Sequence, residues 1–192
     1  MSKSDPASAK KERMKAVRWL IVVFVATICI SALISLGSEE LMAVSSTLVA
    51  FFILLAIILL GIVFDVIGVA VTSADEKPFH SMAARKVPGA QEAIQLLRNA
   101  EKVGSICNDV IGDICGVVSG SASATIAVRV LDNFEFTWPR VVGLVMSALV
   151  AGLTVGGKAI GKGFAIKSCT VIVHAVGRLI WWLRGIPRAF KK

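Results

Sequence analysis

Paired cysteines, histidines and acidic residues are what this chain has little of. Its two histidines, His80 and His174, stand alone, each without a second candidate ligand, and both read as solvated. No nucleophile lies beside a histidine at helical spacing, and no zinc or phosphate-binding motif occurs, so the sequence does not describe an enzyme. The four cysteines, Cys29, Cys107, Cys115 and Cys169, fall mostly in or next to apolar runs and make no C-x-x-C pair. A disulfide framework or zinc site is therefore not expected, and they read as small apolar packing residues. Acid is outnumbered by base, 13 to 21, and none follows Glu135.

What the chain does have is apolar length. Of its 192 residues 56% are hydrophobic, the mean hydropathy is +0.78, and the apolar residues come in runs rather than at amphipathic spacing. These features define an all-α integral membrane protein, and the length suits about four spans of roughly 20 residues each. The expected spans are 17–36, 41–71, 103–131 and 141–160. The second exceeds one crossing, which implies tilt or protrusion. The first lacks a convincing cleavage site and is read as a span, not a signal peptide. Together with their connections they form a transmembrane domain over 17–166.

Between the second and third spans, residues 73–102 are polar, with Pro78 and Pro88-Gly89 as breakers. There Ala93, Leu96, Leu97 and Ala100 recur at helical spacing, which predicts a short helical hairpin at the membrane surface. The basic tail, 167–192, mixes apolar residues with Lys167, His174 and Arg178 and carries Trp181-Trp182. It reads as an interfacial amphipathic helix.

Charge sets the orientation. Lys10, Lys11, Arg13, Lys15 and Arg18 crowd the N-terminal segment, 1–16 and the start of the first span. Lys77, Arg85, Lys86, Arg98 and Lys102 crowd the hairpin, whereas the other two connections carry Glu39, Glu40, Asp132 and Glu135. Lysine and arginine concentrate on the cytoplasmic side, so a multi-pass protein of the cell membrane with both termini cytoplasmic is expected. The net charge of +8 is thus an orientation signal with attraction to anionic membrane lipid, not a nucleic-acid footprint.

Against this apolar background, Cys107–Gly116 reads C-N-D-V-I-G-D-I-C-G. A carboxylate at bilayer depth costs at least a few kcal/mol unless paired, hydrated or bound to a cation. Asp109 and Asp113 share a helix face, with Ser105 a turn earlier and Asn108 alongside. All four offer oxygen, the ligand of a hard cation such as magnesium. The alternative is a solvated position near the end of the span, and the same alternative applies to Asp65 in the second span. Lys158 either pairs with Asp113 or Asp109, blocking a cation site, or snorkels to the surface with Lys162.

Small residues form two ridges, Gly112, Gly116, Gly120 and Ala124 on the third span and Ala148, Gly152 and Gly156 on the fourth. Such ridges let backbones approach in lipid, so these two spans are expected to touch along them. A ridge left free between copies would support a homodimer.

With these residues laid out, the chain resembles the transmembrane domain of the cyclin M / CorB / CorC magnesium transporter family. That domain has a span ending in S-G-x-E, a cytoplasmic helical hairpin, a span opening with I-G-N-N, and a span ending in G-E-I-x-P-K-x-x-A. Here S-A-D-E stands at Ser73–Glu76, then K-V-P-G-A-Q-E-A-I-Q-L-L-R, I-G-D at Ile111–Asp113, and G-K-A-I-G-K-G-F-A at Gly157–Ala165. Order and spacing agree over roughly residues 50–166. The resemblance implies a dimeric bundle with an intramembrane magnesium site, and nominates Ser73, Asp113 and one of Asn108 and Asp109 as ligands, with Glu76 as a structural partner.

The departures are specific. Ile114 replaces the second asparagine of the second motif. Lys158 and Gly161 replace the acid and the proline of the third. A span precedes the matching region, and no counterpart of the paired nucleotide-binding regulatory domains lies within these residues. Two functions follow: transport of a divalent cation, with Ser73, Asn108, Asp109 and Asp113 as the metal site, or a non-transporting membrane scaffold binding a protein partner or anionic lipid.

Overall fold

The structure is a computed structural model and describes residues 6–133 and 139–189. The acidic, aromatic connection expected between the third and fourth spans falls largely on 134–138, outside the described residues. Every element among the described residues is helical. Four helical stretches, Val17–Val44, Thr47–Ser73, Ala100–Asp132 and Arg140–Lys167, are long and apolar enough to cross a membrane. The chain is an all-α membrane protein.

Helix α1 covers Pro6–Val44 and α2 covers Thr47–Ser73. The boundary between them is later than the sequence suggested. Gly37-Ser38-Glu39-Glu40 was the expected connection, with the second span starting at Leu41, but α1 runs straight through it. Glutamate is a good helix former, and one glycine costs only about 1 kcal/mol. The break comes at Ser45-Ser46, where the Ser45 amide and hydroxyl both donate to the Met42 carbonyl at 3.1 Å. Serine competes with the backbone in this way, which is why it ends helices. Arg129 then donates to the carbonyls of Met42 at 2.6 Å and Ser45 at 3.0 Å, placing a cation at the carboxyl end of α1.

α2 is the central element and packs against every other membrane-crossing helix. Leu54 and Ile58 meet Met42, Ile126 and Val150 in one core. α1 is peripheral. Its Val23 and Ile34 pack beside Val110, Ile114 and Val118, while Leu20, Phe24 and Leu33 face outward, as lipid contacts require.

The predicted hairpin is present as α3, Lys77–Ala84, packed on α4, Ala90–Arg98. α5, Ala100–Ser105, continues through a π-helical segment, Ile106–Gly112, into α6, Asp113–Asn133. α7 spans Pro139–Lys167, and α8, Cys169–Ala189, folds back on α4 and α2. α8 buries Val173 with Phe79, Ala93, Leu97 and Val71, while Leu179, Trp181, Trp182 and Leu183 face out. That division makes α8 amphipathic, as expected of the tail.

Glycine permits the closest approach between α4 and α8. A Cβ on Gly177 would strike the Gly89 carbonyl and stand 3.0 Å from the Ala93 amide, and one on Gly89 would meet the Arg178 backbone. Gly89 also has φ 85°, in the left-handed region. The hairpin and the tail are thus locked backbone to backbone.

Candidate intramembrane polar site

The site forms where α2 meets the π segment and α7. On α2, Gly61, Asp65, Gly68 and Thr72 recur every three or four residues and share a face. The α5–π–α6 rod lies close against that face because the side chains there are small. A Cβ on Gly61 would be 2.8 Å from Cβ of Cys115, and one on Gly104 would be 2.8 Å from Cγ2 of Thr72. The side chain of Asn108 occupies the space a Cβ on Gly68 would take.

Asp65 is enclosed in this interface, its side chain 4% exposed. Among the described residues its Oδ2 has no hydrogen-bond partner, and neither does the buried Oδ1 of Asn108. Lys162 Nζ stands 3.9 Å from Oδ2 of Asp65, too far for a hydrogen bond, on a side chain 53% exposed. Lys158 is more enclosed, 19% exposed, and donates to the Gly112 carbonyl at 3.1 Å while standing 3.6 Å from Oδ1 of Asp113. A Cβ on Gly112 would sit 3.4 Å from Lys158 Nζ and 4.0 Å from Oδ1 of Asp65. Gly112 therefore marks the point where two carboxylates and an ammonium approach one another.

The π segment supplies the local geometry. Its wider turn pairs amides with the carbonyl five residues back, an arrangement found often at functional sites. Asn108 and Asp109 both lie on it, and Asp113 follows it directly.

Of the four residues expected to hold a metal, the structure brings only Asn108 into the enclosed interface. Asp109 is exposed, and Asp113 is 73% exposed at the mouth of the α6–α7 groove. Ser73 is exposed at the end of α2. Gly61 packs at the level of Gly112, twelve residues before Ser73, so at 1.5 Å per residue about 18 Å separates Ser73 from the Asp113 end. Among the described residues, no three His, Cys, Asp or Glu side chains converge.

Lys158 takes the pairing position and does not snorkel freely: its ammonium is held by Gly112 and Asp113. Glu76 caps the start of α3, where its carbonyl accepts from Phe79 and its carboxylate meets His80 Nε2 at 3.2 Å. His174 departs from expectation, since its Nε2 is buried and has no hydrogen-bond partner among the described residues. Asp65 and Lys162 were not singled out as site residues from the sequence. The signal was available in the G-x-x-x-D-x-x-G spacing from Gly61 to Gly68, which sets Asp65 on the glycine face of its helix.

The ridges of the third and fourth spans do not interlock. Among the described residues, nothing lies within 4 Å of a Cβ placed on Gly116, Gly120, Gly152 or Gly156. A groove of about 500 Å³ opens between α6 and α7, lined by Gly116, Gly120, Ser119, Ser123 and Thr154 with Asp113 and Lys158 at one end. The glycines of α7 that make contact are Gly157 and Gly161, against Ile62 and Val66 of α2.

No family model matches the chain, and no curated protein or solved structure matches it either.

Proposed function

We propose that this chain is a membrane transport protein for a hard cation, magnesium in the first place, with its ion site at Asp65, Asn108 and the carbonyls of the π segment. The observation that carries the reading is the pair of buried oxygens, Asp65 Oδ2 and Asn108 Oδ1, both without hydrogen-bond partners on facing elements. A buried acceptor left unmatched costs about 1–3 kcal/mol, more when charged, and a hard cation with part of its water shell would satisfy both. Asp65 and Asn108, with Asp113 nearby, replace the wider set that includes Ser73 and Asp109. The reading is in keeping with the resemblance to the cyclin M / CorB / CorC domain, which we retain as a proposal, together with its dimeric assembly and cytoplasmic termini.

Lys158 and Lys162 act here as internal counter-ions that an entering cation displaces. Lys162, half exposed and 3.9 Å away, moves most easily. The test is magnesium-dependent thermal stabilisation of the purified protein, followed by magnesium flux in proteoliposomes. At a hundred times the dissociation constant, binding stabilises by about 2.7 kcal/mol. Asp65→Asn is expected to abolish both the shift and the flux, and Lys162→Met to tighten magnesium binding by removing the competing charge. Equal flux in wild type and Asp65→Asn overturns the assignment.

A scaffold reading has one observation in its favour. The two lysine–aspartate pairs already sum to zero charge, as a purely structural ion-pair set would. In that case Lys162→Met leaves Asp65 unpaired, destabilises the fold, and creates no magnesium dependence.

A further inference from the structure

Away from the intramembrane site, the α3–α4 turn, α4 and α8 enclose a cavity of about 550 Å³ whose lining includes Lys86, Gln91, Gln95, Trp181 and Arg184. Glu92 is the acid in that lining, so the two cations leave it with a net positive charge. Arg184 is oriented by a hydrogen bond from Nη1 to Oε1 of Gln95 at 3.3 Å. The planar guanidinium keeps its remaining donors available as a fork that matches phosphate.

Lys86 occupies an unusual position. The Lys86 amide donates to Ala83 at 2.9 Å and the Val87 amide to Met82 at 3.0 Å, the paired bonds that close a helix with a left-handed residue. Glycine normally takes that place, yet here a lysine holds φ 55°. The conformation costs a non-glycine residue about 1–2 kcal/mol, so the chain keeps an ammonium on the cavity wall against its backbone preference.

Trp181 fixes the depth. It is 48% exposed and also lines the cavity, and Trp182 and Leu183 next to it are exposed as well. Indole rings so placed sit at the headgroup level of a bilayer.

We propose that this cavity binds the phosphate diester of an anionic phospholipid of the surrounding leaflet. Lys86 and Arg184 face the phosphate, and Trp181 packs along the glycerol and the upper acyl chains. The site is independent of the cation reading, since it shares no residue with it. A free phosphate ester offers the same anionic chemistry without the chains, and the experiment separates the two.

The full chain is reconstituted in phosphatidylcholine bilayers doped with spin-labelled phosphatidylglycerol or spin-labelled phosphatidylcholine, and the motionally restricted fraction of each label is measured. The phosphatidylglycerol label is expected to associate preferentially. Arg184→Gln and Lys86→Gly each lower that preference about fivefold, the effect of losing one direct hydrogen bond to the phosphate. Lys77→Gln, a charge outside the cavity, leaves it unchanged. Lys86→Gly also raises thermal stability, because glycine accepts the left-handed conformation, so its loss of lipid binding does not come from unfolding. Equal association of the two labels, an equal loss in Lys77→Gln, or full preference in both cavity variants overturns the proposal. Displacement of the label by inorganic phosphate as effectively as by short-chain phosphatidylglycerol overturns the lipid assignment in favour of a free phosphate.

Discussion

Two sets of glycines in this molecule look alike in sequence and behave differently in space. Gly61, Gly68, Gly104, Gly157 and Gly161 lie where another element presses against the helix, so the missing Cβ is occupied by a neighbour. Gly116 and Gly120 meet open space along the α6–α7 groove, and Gly152 and Gly156 meet open space elsewhere on α7. Both sets have the small-residue spacing that permits close helix approach in lipid. The spacing alone identifies a surface that can be approached closely. Which surface is approached depends on the rotation of each helix, and that is set by α2, which takes the central place and draws the rod and α7 onto its own faces.

The comparison is broken most severely at the α4–α8 crossing. Gly177→Ala puts a Cβ into the Gly89 carbonyl and 3.0 Å from the Ala93 amide, and both obstacles are backbone, which cannot swing aside. We expect a loss of about 3 kcal/mol, the upper end of overpacking costs. Thermal unfolding in mild detergent measures it, and limited proteolysis should release α8 first. A loss as small as that of an ordinary surface change would mean that α8 does not dock on α4.

Gly68→Ala sharpens the comparison at the ion site. Its obstacle is the terminal amide of Asn108, which can rotate away, so the expected cost is smaller, about 1–2 kcal/mol. The same variant displaces one of the two oxygens proposed to hold the cation, so magnesium-dependent stabilisation should fall with it. Adding Asn108→Ala removes the clash, and the double variant should recover most of the stability but none of the magnesium dependence. Two residues in contact are expected to couple in this way, and additive losses would place Asn108 elsewhere.

These outcomes bear on what could be read from the sequence. The four spans were legible because the hydrophobic runs are long, and the hairpin and amphipathic tail because polarity and prolines punctuate them. The end of α1 was not, since Gly37-Ser38-Glu39-Glu40 looks like a loop in composition while its residues tolerate a helix. The Ser45-Ser46 break depends on hydrogen bonds to Met42 and on the capping by Arg129, a residue 84 positions away from Ser45. Asn108 was legible as an intramembrane polar residue. Asp65 was seen but not valued, because its burial follows from the rod lying on the glycine face of α2. The π segment left no trace, since residue preferences do not distinguish a five-residue hydrogen-bond step from a four-residue one.

The smallest expected effect has the opposite sign and tests the open half of the comparison. Gly116 lines the α6–α7 groove, and a Cβ there meets nothing within 4 Å. Gly116→Ala should therefore remove the helix-weakening cost of glycine at no steric charge and raise stability by about 0.5–1 kcal/mol. Thermal unfolding of the wild type and the variant, each at several protein concentrations, distinguishes the causes. A gain independent of concentration means that the groove is empty of protein and that its glycines are free to change. Destabilisation that grows as the protein is concentrated means that a second copy packs on Gly116, because only an interface formed by mass action responds to concentration. The glycine ridges would then serve the dimer and not the internal α6–α7 contact, and the two sets of glycines would differ only in which chain approaches them.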